Sequence, residues 1–116
     1  MELSDVISFR AYENPNDLSS KLMLCQTLGR PLICSEFLRR DQGNTFESSL
    51  KLFAEQRVGW FSGGLVAGKT QTYLPFDSKA GATEDPKVWQ FDVLHPDGKP
   101  YDEKEIELIR NFVFMP

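Results

Sequence analysis

The sequence has few of the residues that metal, disulfide and nucleic-acid sites usually need. It contains one histidine and two cysteines among 116 residues, with no Cys-x-x-Cys pair, which argues against a zinc site. The net charge is −4 and no basic run of five residues occurs, so nucleic acid and anionic membrane surfaces are unfavourable partners. No apolar stretch approaches the roughly 20 residues of a membrane-spanning helix. We therefore expect no metal, no cofactor, no nucleic acid and no membrane among the ligands.

Apolar and aromatic side chains are plentiful. A hydrophobic fraction of 41% and an aromatic fraction of 12% predict a folded core, and the length fits one domain. Cys25 and Cys34 both have apolar neighbours and are interpreted as buried thiols, although the sequence does not decide whether they form a disulfide. The first five residues show no basic region followed by an apolar region, so no signal peptide is visible.

Apolar segments and turn residues alternate as strand, helix, strand, helix, strand. Short β-branched or aromatic runs predict strands over 6–9, 32–35 and 60–66. The run 32–35 lacks polar alternation, which is typical of a strand covered on both faces. This order is typical of a parallel βαβ sheet and of the α/β fold class.

Capping residues predict where the helices begin and end. Asn14, followed by Pro15, starts the first helix, and Gly29 ends it. Asn44 or Thr45 caps the second helix. In the C-terminal part we predict a long polar loop over 69–87, an extended segment over 88–93 and a turn over 96–98. Asp102 and Glu105 form a predicted capping pair for a last helix, whose apolar face would comprise Ile106, Ile109 and Val113.

The segment GGLVAGKT, residues 63–70, matches the written pattern of a phosphate-binding loop. Such a loop needs a strand before it and a helix beginning at its Lys-Thr pair, because the helix N-terminus holds the phosphate. Here 65–67 continues a strand pattern, and 71–76 is β-prone and contains Pro75. We therefore expect no helix after Thr70 and no nucleotide binding.

Polar side chains follow the apolar runs where the predicted strands end. Arg10 and Tyr12 follow the first strand, and Glu36 follows the second. The carboxyl ends of parallel strands lie at one edge of a sheet and carry the active groups of many enzymes. A carboxylate directly after Leu32-Ile33-Cys34 is costly to bury unless it is paired. Arg10 and Tyr12 are its natural partners, and a purely structural contact is the alternative interpretation.

Nearly the whole chain, residues 5–112, resembles the last three βα units of a TIM-barrel glycoside hydrolase of the retaining type, akin to cellulases and mannanases. The segments that carry the resemblance are DVISFRAYENP, GRPLICSEFLRR, TFESSLKLFAEQRVGWFSGGLVAGKTQT and PDGKPYDEKEIELIRNF. The resemblance implies a partial (β/α)8 TIM barrel, with three parallel βα units and a C-terminal helix in one domain over 1–116. It implies that Glu36 is the catalytic nucleophile, with Arg10 and Tyr12 as the polar pair after the preceding strand.

The sequence departs from that family at three points. Arg10 stands where the family commonly has histidine. Gly63 stands where a sugar-stacking tryptophan is common, with Trp60 three residues earlier. A retaining mechanism needs a second carboxyl about 5–5.5 Å from the nucleophile, and the Asn-Glu dipeptide that carries it in the family is absent here.

The resemblance implies O-glycosyl hydrolysis of a β-linked poly- or oligosaccharide in the complete barrel, with this chain supplying the nucleophile strand. Tyr12 would hydrogen-bond the Glu36 carboxylate, and Arg10 would favour its ionised form. The residues expected to bind the carbohydrate are Arg10, Tyr12, Trp60, Lys69 and Gln71. The alternative is a non-catalytic half-barrel that binds carbohydrate or forms a homo-oligomer, because three strands leave two open sheet edges.

Overall fold

The structure, a computed structural model, describes residues 3–82 and 85–113. Its elements are β1 (Ile7–Ala11), α1 (Pro15–Gln26), β2 (Leu32–Phe37), a single 3-10 turn (Arg40–Gln42), α2 (Phe46–Glu55), β3 (Gly59–Trp60) and α3 (Glu103–Val113). The three strands are parallel and lie in the order β1-β2-β3, which confirms the predicted α/β class. No helix within the described ranges is long and apolar enough to cross a membrane.

The first two helices begin close to the predicted capping residues. The Asn14 side chain accepts the backbone N–H groups of Asn16 and Asp17, each at 3.1 Å. Thr45 caps α2 and forms a reciprocal capping box with Ser48. Asn44, the alternative cap, is buried and has another role, described below. Val113 was predicted to lie on the apolar face of α3, but its side chain is outside the described part of the chain.

A β-bulge in the sheet sets the direction of the side chains in β2. Phe9 pairs with Cys34, but the next residue, Arg10, pairs with Glu36, so the register shifts and Ser35 is the extra residue. Cα partners in a parallel sheet share a face. Because of the shift, Cys34 and Glu36 lie on opposite faces, although they are two residues apart.

One face of the sheet carries the core and the other is largely open. The core face comprises Ile7, Ala11, Leu32, Cys34 and Phe37, all buried. On the other face Ser8, Arg10 and Gly59 are exposed and Ile33 is partly buried. The prediction that 32–35 is covered on both faces is therefore wrong, because the described helices cover only one face.

The third strand is shorter than the predicted 60–66. The Phe61 N–H still donates to the Cys34 carbonyl at 2.9 Å, but the segment after it leaves the sheet. Ala67 N–H instead donates to Leu94 O at 2.9 Å, so this stretch pairs with the chain that follows the polar loop. At Gly63 the ring of Phe91 packs directly against the backbone, as described below. Between α2 and α3 the described residues include no helix, as predicted for the segment after Thr70.

Arg40, whose side chain is buried, begins the 3-10 turn after β2 and joins it to the C-terminal segment, here residues 89–105. Arg40 donates from Nε and Nη2 to the Glu105 carboxylate, each at 2.8 Å, and from Nη1 to the carbonyls of Trp89 and Gln90. The predicted capping pair is corrected accordingly. Asp102 does accept Lys104 N–H at 2.8 Å, but Glu105 is drawn to the guanidinium, which offers it two charge-assisted hydrogen bonds.

Candidate functional site

The candidate site lies at the carboxyl end of the central strand, β2. The Tyr12 hydroxyl donates a hydrogen bond to Glu36 Oε2, and Arg10 Nε lies 3.6 Å from the same oxygen. Tyr12 follows the last residue of β1, and the register places Arg10 directly beside Glu36. The sheet therefore brings together the three residues that the sequence predicted at adjacent strand ends.

Tyr12 holds the Glu36 carboxylate more firmly than Arg10 does. Burial raises the pKa of the Tyr12 hydroxyl to about 12, with smaller contributions from the hydrogen bond to Glu36 and from its negative charge. The phenol is therefore protonated at neutral pH and available as a donor. The Arg10 side chain is 71% exposed, so solvent screens its attraction to the carboxylate. Tyr12 is the main fixed partner of Glu36.

A buried asparagine holds the backbone on both sides of Tyr12. Asn44 Nδ2 donates to Ala11 O at 3.0 Å and to Glu13 O at 2.8 Å, and its Oδ1 accepts the Ser49 hydroxyl at 3.0 Å. Asn44 is 1% exposed, so these bonds are shielded from water. It therefore acts as a positioning residue for Tyr12. Sequence reasoning assigned Asn44 only to a helix cap, and no local pattern distinguishes the two roles.

Glu36 is left with one oxygen free to react. Among the described contacts, its second oxygen, Oε1, accepts no hydrogen bond, and no other carboxylate contacts Glu36, Tyr12 or Arg10. The arrangement provides an oriented carboxylate on an open sheet face, and no described hydrogen bond or ion pair joins it to a second carboxyl. Within the described ranges, no cluster of three or more His, Cys, Asp or Glu side chains could hold a metal ion.

The remaining predicted binding residues lie elsewhere. Trp60 packs edge-to-face on Phe37, with ring centroids 5.7 Å apart, on the core face of the sheet and not beside Glu36. Lys69 and Gln71 are exposed on the polar loop, and no described contact joins either side chain to Glu36. The inward residue of that loop is Thr72, whose hydroxyl donates to Asp92 Oδ2 at 2.8 Å.

Two aromatic residues beside the site were missed by sequence reasoning. Phe76 lies edge-to-face with Tyr12 at a centroid distance of 5.1 Å, and Phe91 lies 5.6 Å from Phe76. Phe76 is in the predicted polar loop and Phe91 in the predicted extended segment, so neither follows a strand. The one available signal was Gly63, because a glycine at a strand end allows a ring to approach closely.

Comparisons of the chain with protein-family models, with curated proteins and with solved structures found no match. The geometry of the Glu36 group and the sequence resemblance are therefore the basis for the function proposed next.

Proposed function

We propose that this chain is the C-terminal part of a retaining glycoside hydrolase barrel and that Glu36 is its nucleophile. The observation that carries the proposal is the Glu36 carboxylate at the end of the central strand, with one oxygen held by Tyr12 and the other free. The open face that carries Arg10 and Glu36 would be the interior of the complete (β/α)8 barrel. Active groups of such barrels lie at the carboxyl ends of the strands.

The proposed chemistry has two steps. In the first, the free oxygen of Glu36 attacks the anomeric carbon, the glycosidic C–O bond breaks, and the leaving oxygen takes a proton from an acid. In the second, the same acid, now a base, takes a proton from water; the water oxygen attacks the anomeric carbon, and Glu36 leaves as a carboxylate. Tyr12 orients Glu36 throughout, and its neutral hydroxyl stabilises the carboxylate as it departs.

The acid is the part of the mechanism that the described residues do not supply. A retaining enzyme places the two carboxyls about 5–5.5 Å apart. In this proposal the acid comes from the barrel half that would cover the open sheet face, where Arg10 is exposed and Glu36 is partly exposed to solvent.

An activated sugar tests the nucleophile without that acid. A fluorosugar with a dinitrophenolate leaving group needs no protonation of the leaving oxygen, so a nucleophile alone can form the covalent adduct. We expect intact-mass and peptide analysis to show one added glycosyl group, located on Glu36. The sugar is tested in its gluco, manno and xylo forms, because the proposal covers β-linked polysaccharides as a class.

Two variants control the labelling. Glu36→Gln should abolish the adduct, because the amide is a poor nucleophile, whereas Glu55→Gln, at an exposed position on α2, should leave it unchanged. Labelling that persists in Glu36→Gln, or no labelling by any of the three sugars, would refute the proposal.

A second candidate function rests on a different observation, the open sheet face with its uncovered edges. Strands with unpaired edges recruit further strands, so we also propose a non-catalytic half-barrel that pairs with a second copy and binds carbohydrate. Light scattering after size exclusion tests it. A mass of twice 13.3 kDa that persists on dilution supports this function, and a monomer at high concentration contradicts it.

A further inference from the structure

Three aromatic rings that all contact one another lie beside Glu36, and one of them reaches the surface. The Tyr12 ring contacts Phe76 at 5.1 Å and Phe91 at 6.4 Å, and Phe76 contacts Phe91 at 5.6 Å. Phe91 is 6% exposed, whereas Phe76 is 53% exposed. The Phe76 ring is thus held by Tyr12 and Phe91 and has half of its surface in solvent. The Tyr12 ring lies between Phe76 and the Glu36 carboxylate.

Position 63, three residues after the end of β3, has no room for a ring. A Cβ atom at Gly63 would lie 2.7 Å from Phe91 Cδ1 and 2.9 Å from its Cε1, far inside the normal contact distance. The Phe91 ring therefore fills the place that a side chain at residue 63 would occupy. An aromatic surface beside Glu36 must come from a residue other than 63, and Phe76 is in direct contact with the Tyr12 ring.

We propose that Phe76 is the platform on which a sugar ring of the substrate packs next to Glu36. A β-linked pyranose has an apolar face of C–H bonds, and binding sites pair such faces with aromatic side chains and a few polar groups. Phe76 supplies the apolar surface, while Tyr12, Arg10 and Glu36 supply polar groups at its edge. This inference rests on the proposed hydrolase function and assigns a substrate-positioning residue to it.

Phe61 is the competing candidate. It is 62% exposed, and it follows Trp60, which lies on the core face, so the alternation of side chains places it on the open sheet face. No described ring contact joins Phe61 to Tyr12 or holds it in one orientation. An immobilised ring loses less conformational freedom on binding, so Phe76 is the better platform.

Calorimetry with cellohexaose, mannohexaose and xylohexaose tests the assignment. We expect the chain to bind at least one of these, and Phe76→Ala to raise the Kd about fivefold to tenfold, the order of an aromatic contact. Phe76→Leu keeps an apolar side chain of similar size but lacks the flat ring, so it should show the same loss with the fold intact. Phe76→Trp keeps a flat aromatic ring and should bind with about the native affinity. Leu65→Ala, at another exposed apolar position, should not change the affinity.

The outcomes separate this inference from the function it rests on. Unchanged affinity in Phe76→Leu, or a loss in Phe61→Ala without one in Phe76→Ala, overturns the platform, while fluorosugar labelling of Glu36 would still support the hydrolase. No binding of any hexasaccharide together with successful labelling also overturns the platform alone. No binding and no labelling overturn both proposals.

Discussion

Arg40 should contribute more to the free energy of unfolding than any exposed charged residue. Its side chain is 5% exposed, and that of its partner Glu105 is 13% exposed. Besides the two bonds to Glu105, the guanidinium donates to the carbonyls of Trp89, Gln90 and Asp92 at 2.9–3.2 Å. It also lies over the Tyr101 ring, 4.8 Å from the centroid. All five N–H groups of the guanidinium are therefore directed at residues 89–92 or at Glu105 of α3.

Arg40→Met keeps much of the side-chain volume and removes all of these donors. It leaves a mostly buried carboxylate without its cation, and removing one member of a buried ion pair costs about 3–5 kcal/mol. A domain of this kind has a total stability of about 5–15 kcal/mol, so we expect the variant to lose at least about a fifth of its free energy of unfolding. Urea unfolding followed by tryptophan fluorescence measures the loss.

The neighbouring arginine provides a matched control. Arg39 Nε lies 3.5 Å from Asp41, but the two side chains are 41% and 47% exposed, so Arg39→Met should cost under about 1 kcal/mol. The double variant Arg40→Met with Glu105→Leu should recover part of the loss, because the unpaired carboxylate is gone. Equal costs for Arg39→Met and Arg40→Met, or no recovery in the double variant, would refute the assignment of Arg40 as the tie between the segment and the sheet.

Three further predictions concern the site and its support. Tyr12 should ionise near pH 12, as followed by ultraviolet absorbance, and Glu36→Gln should lower this pKa while leaving it above 10.0, because burial is the largest cause of the shift. Since the pKa is raised in the folded state, the stability it contributes is complete below pH 10.0 and is lost as the pH rises through about 12; a flat unfolding free energy over that window would contradict this. Gly63→Ala should destabilise the chain by about 1–3 kcal/mol through overpacking, whereas Gly68→Ala, where a Cβ would meet nothing closer than 3.9 Å, should be near neutral by thermal unfolding. Burial raises the pKa of the Cys34 thiol to about 12, so iodoacetamide at neutral pH should leave this thiol unmodified until the chain unfolds. Peptide mass analysis locates the modification, and rapid alkylation of Cys34 in the native protein would contradict its burial.

The sequence predicted the α/β class and the caps because these depend on neighbouring residues. Asn14 with Pro15, and Thr45 with Ser48, act within one helical turn, so their roles can be inferred from a few letters. The prediction for 60–66 failed because β-prone residues do not determine which strand they pair with. There, the contact of Gly63 with Phe91 directs the chain away from β2.

The candidate site was predictable in its residues but not in its arrangement. Arg10, Tyr12 and Glu36 could be named because polar residues directly after apolar runs mark strand ends. Trp60 was grouped with them by its position near the third strand end, but its pairing with Cys34 places it on the core face, whereas the β-bulge at Ser35 places Glu36 on the other face. Phe76 and Asn44 carried no local signal, because their importance comes from what lies across the fold.

The sequence by itself determined the order of strands and helices, the beginnings of the first two helices and the identity of the three polar residues at the strand ends. Those properties arise from backbone preferences and from the period of apolar residues, which act over a few positions. Only the tertiary structure decided that Asn44 bonds to the carbonyl of Ala11, 33 residues away, and that Arg40 holds Glu105, 65 residues away. Such pairs form because burial makes an unpaired polar group costly, and that cost depends on which segments the folded chain brings together.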